Sequence, residues 1–271
     1  KRKNGRRYFM RIKARVFFLL IARVMTSQIA KERISGALWA LFSGDALAAP
    51  THWYYDTRQI SVDYGEIKDY TKPVLKLPGS IMAKSNTDGA GRGTYNQYMK
   101  TVIGDFINIG KKRFWSPHES YHYHCTLEKG ENTLEAQLVR VLLGSIIKSS
   151  STNSQTWADQ FRQDYIHFMT TPNSHNDAYA STAHRMFFRN LLSGIPEENC
   201  PDNDHHNVDT IDGLVLPTVS ALTAIYLGQD QAAVRQAAID IIRVTRNSRA
   251  LERAAYIWVD VLYSAFFLTT S

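Results

Sequence analysis

Apolar residues recur along this chain at helical rather than strand spacing. Ile34, Leu38, Leu41, Phe42 and Leu47 fall at roughly i, i+3, i+4 intervals, which predicts an amphipathic or buried helix that Pro50 ends. A loop-rich stretch follows from Thr51 to about Asn96, with Pro73, Pro78 and the glycine cluster SNTDGAGRGTYN. Tyr95 to Ile107 reads as a second helix, and residues 110–130 are polar, with Trp115, His118, His122 and His124. Asn132 to Ile147 puts Leu134, Leu138, Val141 and Leu142 on one helical face, and the serine-rich KSSSTNSQT after it reads as a linker. Trp157 to Met169 turns Phe161, Tyr165 and Phe168 inward. Beyond Pro172, helices are predicted over Asp177 to Leu192, Gly213 to Leu227, Gln231 to Thr245 and Ala250 to Phe267. There is no βαβ alternation, no period-two set of strands and no internal repeat, so the fold class is all-α.

Composition fits an ordinary globular protein with one substantial core or two small ones: of 271 residues, 44% are apolar and 21% charged. The two cysteines, Cys125 and Cys200, form no CxxC and exclude a disulfide scaffold or a cysteine-rich zinc module. The net charge of +7 changes meaning once it is divided. Residues 1–31 carry ten Lys and Arg and no acid, so the chain from Glu32 onward is mildly acidic. The body of the protein therefore gives no case for nucleic-acid binding. Residues 1–31 read as a basic appendage outside the fold: an organelle presequence, a signal-like segment, or sequence upstream of a true start at Met25. Its apolar run, Val16 to Ala22, is well short of the ~20 residues that span a bilayer. The expected location is cytoplasmic or organellar, depending on residues 1–24. Residues 32–271 read as a single all-helical domain, whose last helix runs apolar to the C-terminus without a cap, as if the chain continued.

Five segments carry candidate chemistry. Asp45 is an acid on an otherwise apolar helix, so it must be exposed, paired or hydrogen-bonded, and His52 lies about two turns further on. Glu131, Asn132 and Thr133 open an apolar helix, as capping residues do. Three consecutive oxygen-bearing side chains there can also hold a hard cation such as Mg²⁺. His122 and His124 form an HxH pair without the further ligands that zinc needs. Ser174, Asn176 or Asp177 can cap the helix that carries His184 and Arg185. An acid- and histidine-rich loop with His206 feeds the helix from Gly213. Backbone N–H groups of the Asp88 to Gly93 loop, with Gly91 and Gly93, are suited to a phosphate.

In their order, these segments resemble the ADP-ribosylglycohydrolase family, the all-helical group that includes dinitrogenase reductase-activating glycohydrolase and the jellyfish lens crystallins. Gly36-Ala37-Leu38, Gly44-Asp45-Ala46-Leu47 and Pro50 match the family's opening helix, GALxGxxxGDALGxPxE. Gly130-Glu131-Asn132-Thr133 stands at the place of Thr-Asp-Asp-Thr. His175-Asn176-Asp177 through Arg185 stands at that of Gly-Asn-Gly-x-x-Met-Arg, and His206 at that of the Thr-His substrate loop. The resemblance implies a compact orthogonal helical bundle and Mg²⁺-assisted hydrolysis of an N- or O-glycosidic bond to ADP-ribose. The substrate would be an ADP-ribosylated protein or an ADP-ribose-containing small molecule. It further implies Asp45, His52 and Glu131 at the catalytic centre, and Glu131, Asn132 and Thr133 around metal. Asn176, Asp177, His206, Gly91 and Gly93 would contact substrate. Two departures pull the other way: Asn132 replaces a carboxylate, and His52 stands where the family has a glutamate. The family's second acidic segment, Asp-x-Asp-Thr, has only a loose counterpart in Asp209 to Asp212. A weak or absent metal site follows, and with it an alternative: a catalytically silent, ADP-ribose-binding or crystallin-like structural homologue.

Overall fold

The structure, a computed structural model, describes residues 28–89, 98–205 and 207–267. Among these residues the helices are α1 (28–48), α2 (Thr57–Tyr64), the four-residue turn α3 (Val102–Asp105), α4 (Leu134–Ser149), α5 (Ser154–Thr170), α6 (Thr182–Leu192), α7 (Val215–Tyr226), α8 (Gln231–Thr245) and α9 (Arg249–Phe267). Only two isolated β-bridges occur among them, Lys76 with Tyr121 and Ile103 with Ile107. The all-α class holds. No described helix is long and apolar enough to cross a membrane.

Helices α4, α5, α7 and α8 form the centre. α8 packs on α5, α7 and α9, and α4 packs on α5 and α7. Close approach follows from composition, since α8 turns Val234, Ala237, Ala238, Ile241 and Val244 inward and two of the five are alanines. The Ser220 hydroxyl of α7, itself buried, donates to the Ala237 carbonyl at 3.0 Å. Trp115, Trp157, Phe161, Tyr165, Phe187 and Phe188 are fully buried in the same cluster. α1 contributes Ile34 to that cluster while Trp39 is 72% exposed, so it lies on the outside of the bundle.

Three expectations need correction. Tyr95 to Ile107 is not a helix over its described part. Residues 98–101 are irregular, and the turn after them breaks at Ile103 (ψ 125°) and Gly104 (φ +92°). Gly104 is required there, because a Cβ would sit 2.5 Å from that of Lys112. Val102, Ile103 and Ile107 are buried by this loop rather than by a helical face. The helix expected from Asp177 begins at Thr182, and residues 175–181 run without helix because the Asp177 carboxylate is committed elsewhere. Residues 28–31, read as part of the appendage, are the first described turn of α1, with Ala30 buried and the Lys31 ammonium 5.0 Å from the Tyr226 ring centre. The rest of the appendage lies outside the described residues. In α9 the carbonyls of Ala265 (3.1 Å) and Phe266 (3.3 Å) accept from the Arg33 guanidinium of α1, and the uncapped end expected beyond Phe267 lies outside the described residues.

Candidate functional site

A cleft of about 820 Å³ opens beside the N-terminus of α4. Its walls come from the end of α1 (Asp45, Ala48), the turn after it (His52, Trp53, Tyr55), His124, the first turn of α4 (Thr133 to Glu135), the stretch from Asp177 to Thr182 with Arg185, and the loop from Asn207 to Val215.

The first turn of α4 explains how distant segments converge. A helix start leaves backbone N–H groups without partners, and Thr133, at the N-cap position, makes no side-chain cap of its own. Two carboxylates from elsewhere take the task. Asp45 accepts the Thr133 N–H at 2.8 Å, the Thr133 hydroxyl at 2.6 Å and the Asn132 amide at 2.9 Å. Asp177 accepts the Leu134 N–H at 2.8 Å and the Tyr179 N–H at 3.1 Å. Each carboxylate thereby meets the positive end of the helix dipole. Burial alone would raise the Asp177 carboxyl, but His124 and these amides outweigh it and hold it below the ordinary carboxylate range.

From Asp177 a chain of rings leads to the cleft. His124 Nδ1 lies 2.9 and 3.0 Å from the two Asp177 oxygens, and His124 Nε2 lies 2.6 Å from His52 Nδ1. The His52 and His124 rings are nearly parallel, with centroids 4.8 Å apart, and meet edge to edge through that contact, and the Trp53 ring lies 4.7 Å from His52. Burial, then the neighbouring His124 and His122, push the His52 imidazole down to about 3, so it is neutral near pH 7. Trp53 adopts a left-handed backbone (φ +58°) and sets its ring edge-on to Tyr123 and Tyr179. Such a conformation in a bulky residue is costly and is kept where the surroundings enforce it.

Two further carboxylates line the cleft, Glu135 and Asp212. Glu135 accepts from His184 Nε2 through Oε1 at 3.0 Å, and the Tyr165 hydroxyl lies 2.8 Å from His184 Nδ1. Glu135 Oε2 makes no hydrogen bond among the described residues. Asp212 accepts from the buried Arg246 guanidinium at 2.6 Å. Burial would raise its carboxyl, yet Arg246 and the Thr210 hydroxyl bring it below the ordinary range. Gly213 lets this pair close up, since a Cβ there would stand 2.7 Å from Leu251 and 3.1 Å from Arg246.

Of the residues singled out in the sequence, Asp45, His52, His124, Thr133, Asp177 and Arg185 line the cleft. Asn132 does not line it; its amide donates to Asp45 and to the Phe42 carbonyl. Glu131 is turned to the Asn176 amide (2.7 Å) and the Glu128 N–H (2.9 Å), and neither Glu131 nor Asn176 reaches the lining. Gly91, Gly93 and His206 lie outside the described residues. Asp209 is bonded to Ser248 and does not reach the lining, whereas Thr210, Ile211 and Asp212 line the cleft. His122 is fully buried, and its Nδ1 accepts the His124 N–H at 3.0 Å. Sequence reasoning missed Glu135, His124 as the partner of Asp177, and Arg185 as a wall of the cleft. Glu135, one helical turn after Glu131 at the start of α4, carried a usable signal. The pairing of His124 with Asp177 carried none, because 53 residues separate them.

No curated protein and no solved structure matches the chain. A profile of the ADP-ribosylglycohydrolase family matches residues 26–266, nearly the whole described body, and the chain belongs to that family.

Proposed function

We propose that the cleft binds the ADP-ribosyl group of a modified protein or small molecule and hydrolyses its N- or O-glycosidic bond. The observation that carries this reading is that a neutral histidine, His52, and a carboxylate with an oxygen unengaged among the described residues, Glu135, line one cavity of about 820 Å³. That volume is within the range of small-molecule sites. Water attack on the anomeric carbon passes through a cationic, oxocarbenium-like transition state. Glu135, with Asp45 and Asp212, supplies negative charge fixed in advance for it. His52 Nε2 is the base that takes the proton of the attacking water.

Glu131, Asn132 and Thr133 do not fit a Mg²⁺ ion as a set. Such an ion needs converging oxygens, whereas Asn132 presents a donor to Asp45 and Glu131 is turned to Asn176. Among the described residues no three His, Cys, Asp or Glu side chains are grouped to hold a metal. The chain is expected to bind Mg²⁺ weakly or not at all. The same saturation of Asp45, with both oxygens occupied by α4, favours a second reading, an ADP-ribose binder without turnover.

The two are separated by incubating the full chain with ADP-ribosyl-arginine, ADP-ribosyl-serine peptide and O-acetyl-ADP-ribose, with Mg²⁺ and with EDTA, and measuring free ADP-ribose. Release from one of them that persists in EDTA and falls about 10²-fold or more in Glu135→Gln is the expected result. Binding of ADP-ribose without release from any would establish the silent reading.

A further inference from the structure

The protonation pattern of the buried chain behind His52 follows from its partners. The Asp177 carboxylate is an acceptor only, so the ring nitrogen facing it, His124 Nδ1, carries a hydrogen. In a neutral imidazole the other nitrogen is then an acceptor, and His124 Nε2 must receive its 2.6 Å contact from His52 Nδ1–H. That leaves His52 Nε2 unprotonated, and of the two imidazoles His52 is the one that is only partly buried. His124 (3% exposed) and Asp177 (1%) are shut away from water.

We propose that His52, His124 and Asp177 form a two-imidazole proton relay, in which a proton taken from the cleft comes to rest on His124 rather than on His52. The inference rests on the hydrolase reading for its use, but not for its direction. In the hydrolytic step, the water oxygen bonds to the anomeric carbon while its proton passes to His52 Nε2. The His52 Nδ1 hydrogen moves to His124 Nε2, leaving His124 an imidazolium against the Asp177 carboxylate. The bond from the anomeric carbon to the leaving nitrogen or oxygen breaks, and its electron pair stays on that atom. The proton then returns along the same path to the leaving group, so the relay ends as it began.

The environment assigns the resting place of the charge. His52 is disfavoured as a cation by its burial and by His124 and His122 beside it. His124 has a full carboxylate at 2.9 Å. Asp177 keeps its own charge, because two backbone amides and His124 stabilise the anion. Asp177 is therefore a positioning residue that fixes one tautomer, and His124 connects it to the base. The two rings are nearly parallel (17°), which keeps both nitrogens in register.

The test uses the full chain labelled with ¹⁵N, in long-range ¹H–¹⁵N correlation spectra at pH 7. His52→Gln and His124→Asn assign the two rings. The expected spectrum has both rings protonated at Nδ1 and bare at Nε2. A hydrogen on His52 Nε2 would overturn the relay, and this readout needs no activity. In the hydrolysis assay, His124→Asn is expected to lose about 10²-fold or more in rate while ADP-ribose affinity stays within about threefold. Native rates in His124→Asn would likewise overturn it. If the unmodified chain releases no ADP-ribose from any substrate, the hydrolase reading fails, and the tautomers still decide the direction of the relay.

Discussion

The α7–α8 pair and the first turn of α4 lie in one core and are held by different means. α8 is fixed by an apolar face, Val234, Ala237, Ala238, Ile241 and Val244, whose spacing along 15 residues is enough to place it. The first turn of α4 is fixed by carboxylates 88 and 43 residues away in sequence, each accepting a backbone N–H that the helix cannot pair itself. The first kind of order is written locally and tolerates exchange of one apolar group for another of similar volume. The second depends on single atoms, and it is the region that forms the cleft. Polar groups that must be satisfied for the fold also set the geometry of the site.

The sharpest way to break the comparison is Asp177→Ala. It leaves the buried His124 Nδ1–H and Leu134 amide, and the partly buried Tyr179 amide, without an acceptor. A loss of about 3–5 kcal/mol is expected in urea denaturation. Ile241→Ala in α8 is expected to cost about 2–4 kcal/mol through an unfilled cavity, yet to leave ADP-ribose binding unchanged, as calorimetry on both chains would show. Asp45→Ala is expected to cost about 1–3 kcal/mol and to weaken ADP-ribose binding together with stability.

Lowering the pH presses on the same region. His122 and His175 are held down to about 4 by burial, His122 also by His124 and His175 by Lys111, and His52 is down at about 3. From pH 6.5 downward the unfolded chain binds protons that the folded chain refuses. Stability therefore falls as pH falls towards 4, by about 1.4 kcal/mol per pH unit for each of the two buried histidines, and is flat with respect to them above pH 7. Thermal melts between pH 7.5 and 4.5 check the sign. At the small end, Trp39→Ser, on the solvent face of α1, is expected to shift stability by no more than about 0.5 kcal/mol.

What could be read in advance divides along the same line. α8 begins and ends where its apolar period does, at Gln231 and Thr245, and α4, α5, α7 and α9 lie within a few residues of their expected bounds. The failures fall where backbone order comes from elsewhere. The apolar Val102, Ile103 and Ile107 are buried by a loop around Gly104, which helical spacing cannot foresee. Asp177 looked like a cap for the helix after it and instead caps α4. Asp45 and His52 were legible as polar residues that needed a purpose. Glu131 and Asn132 looked like ligands because their types suited metal, but the direction of a side chain depends on Asn176 and Asp45, which only the fold brings near.

A structure of the full chain crystallised with ADP-ribose tests the central claim most directly. The account places the anomeric carbon between His52 Nε2 and the Glu135 carboxylate, with Asp45 still bonded to Thr133. ADP-ribose bound with that carbon away from both residues, or bound outside the cleft beside α4, would contradict it.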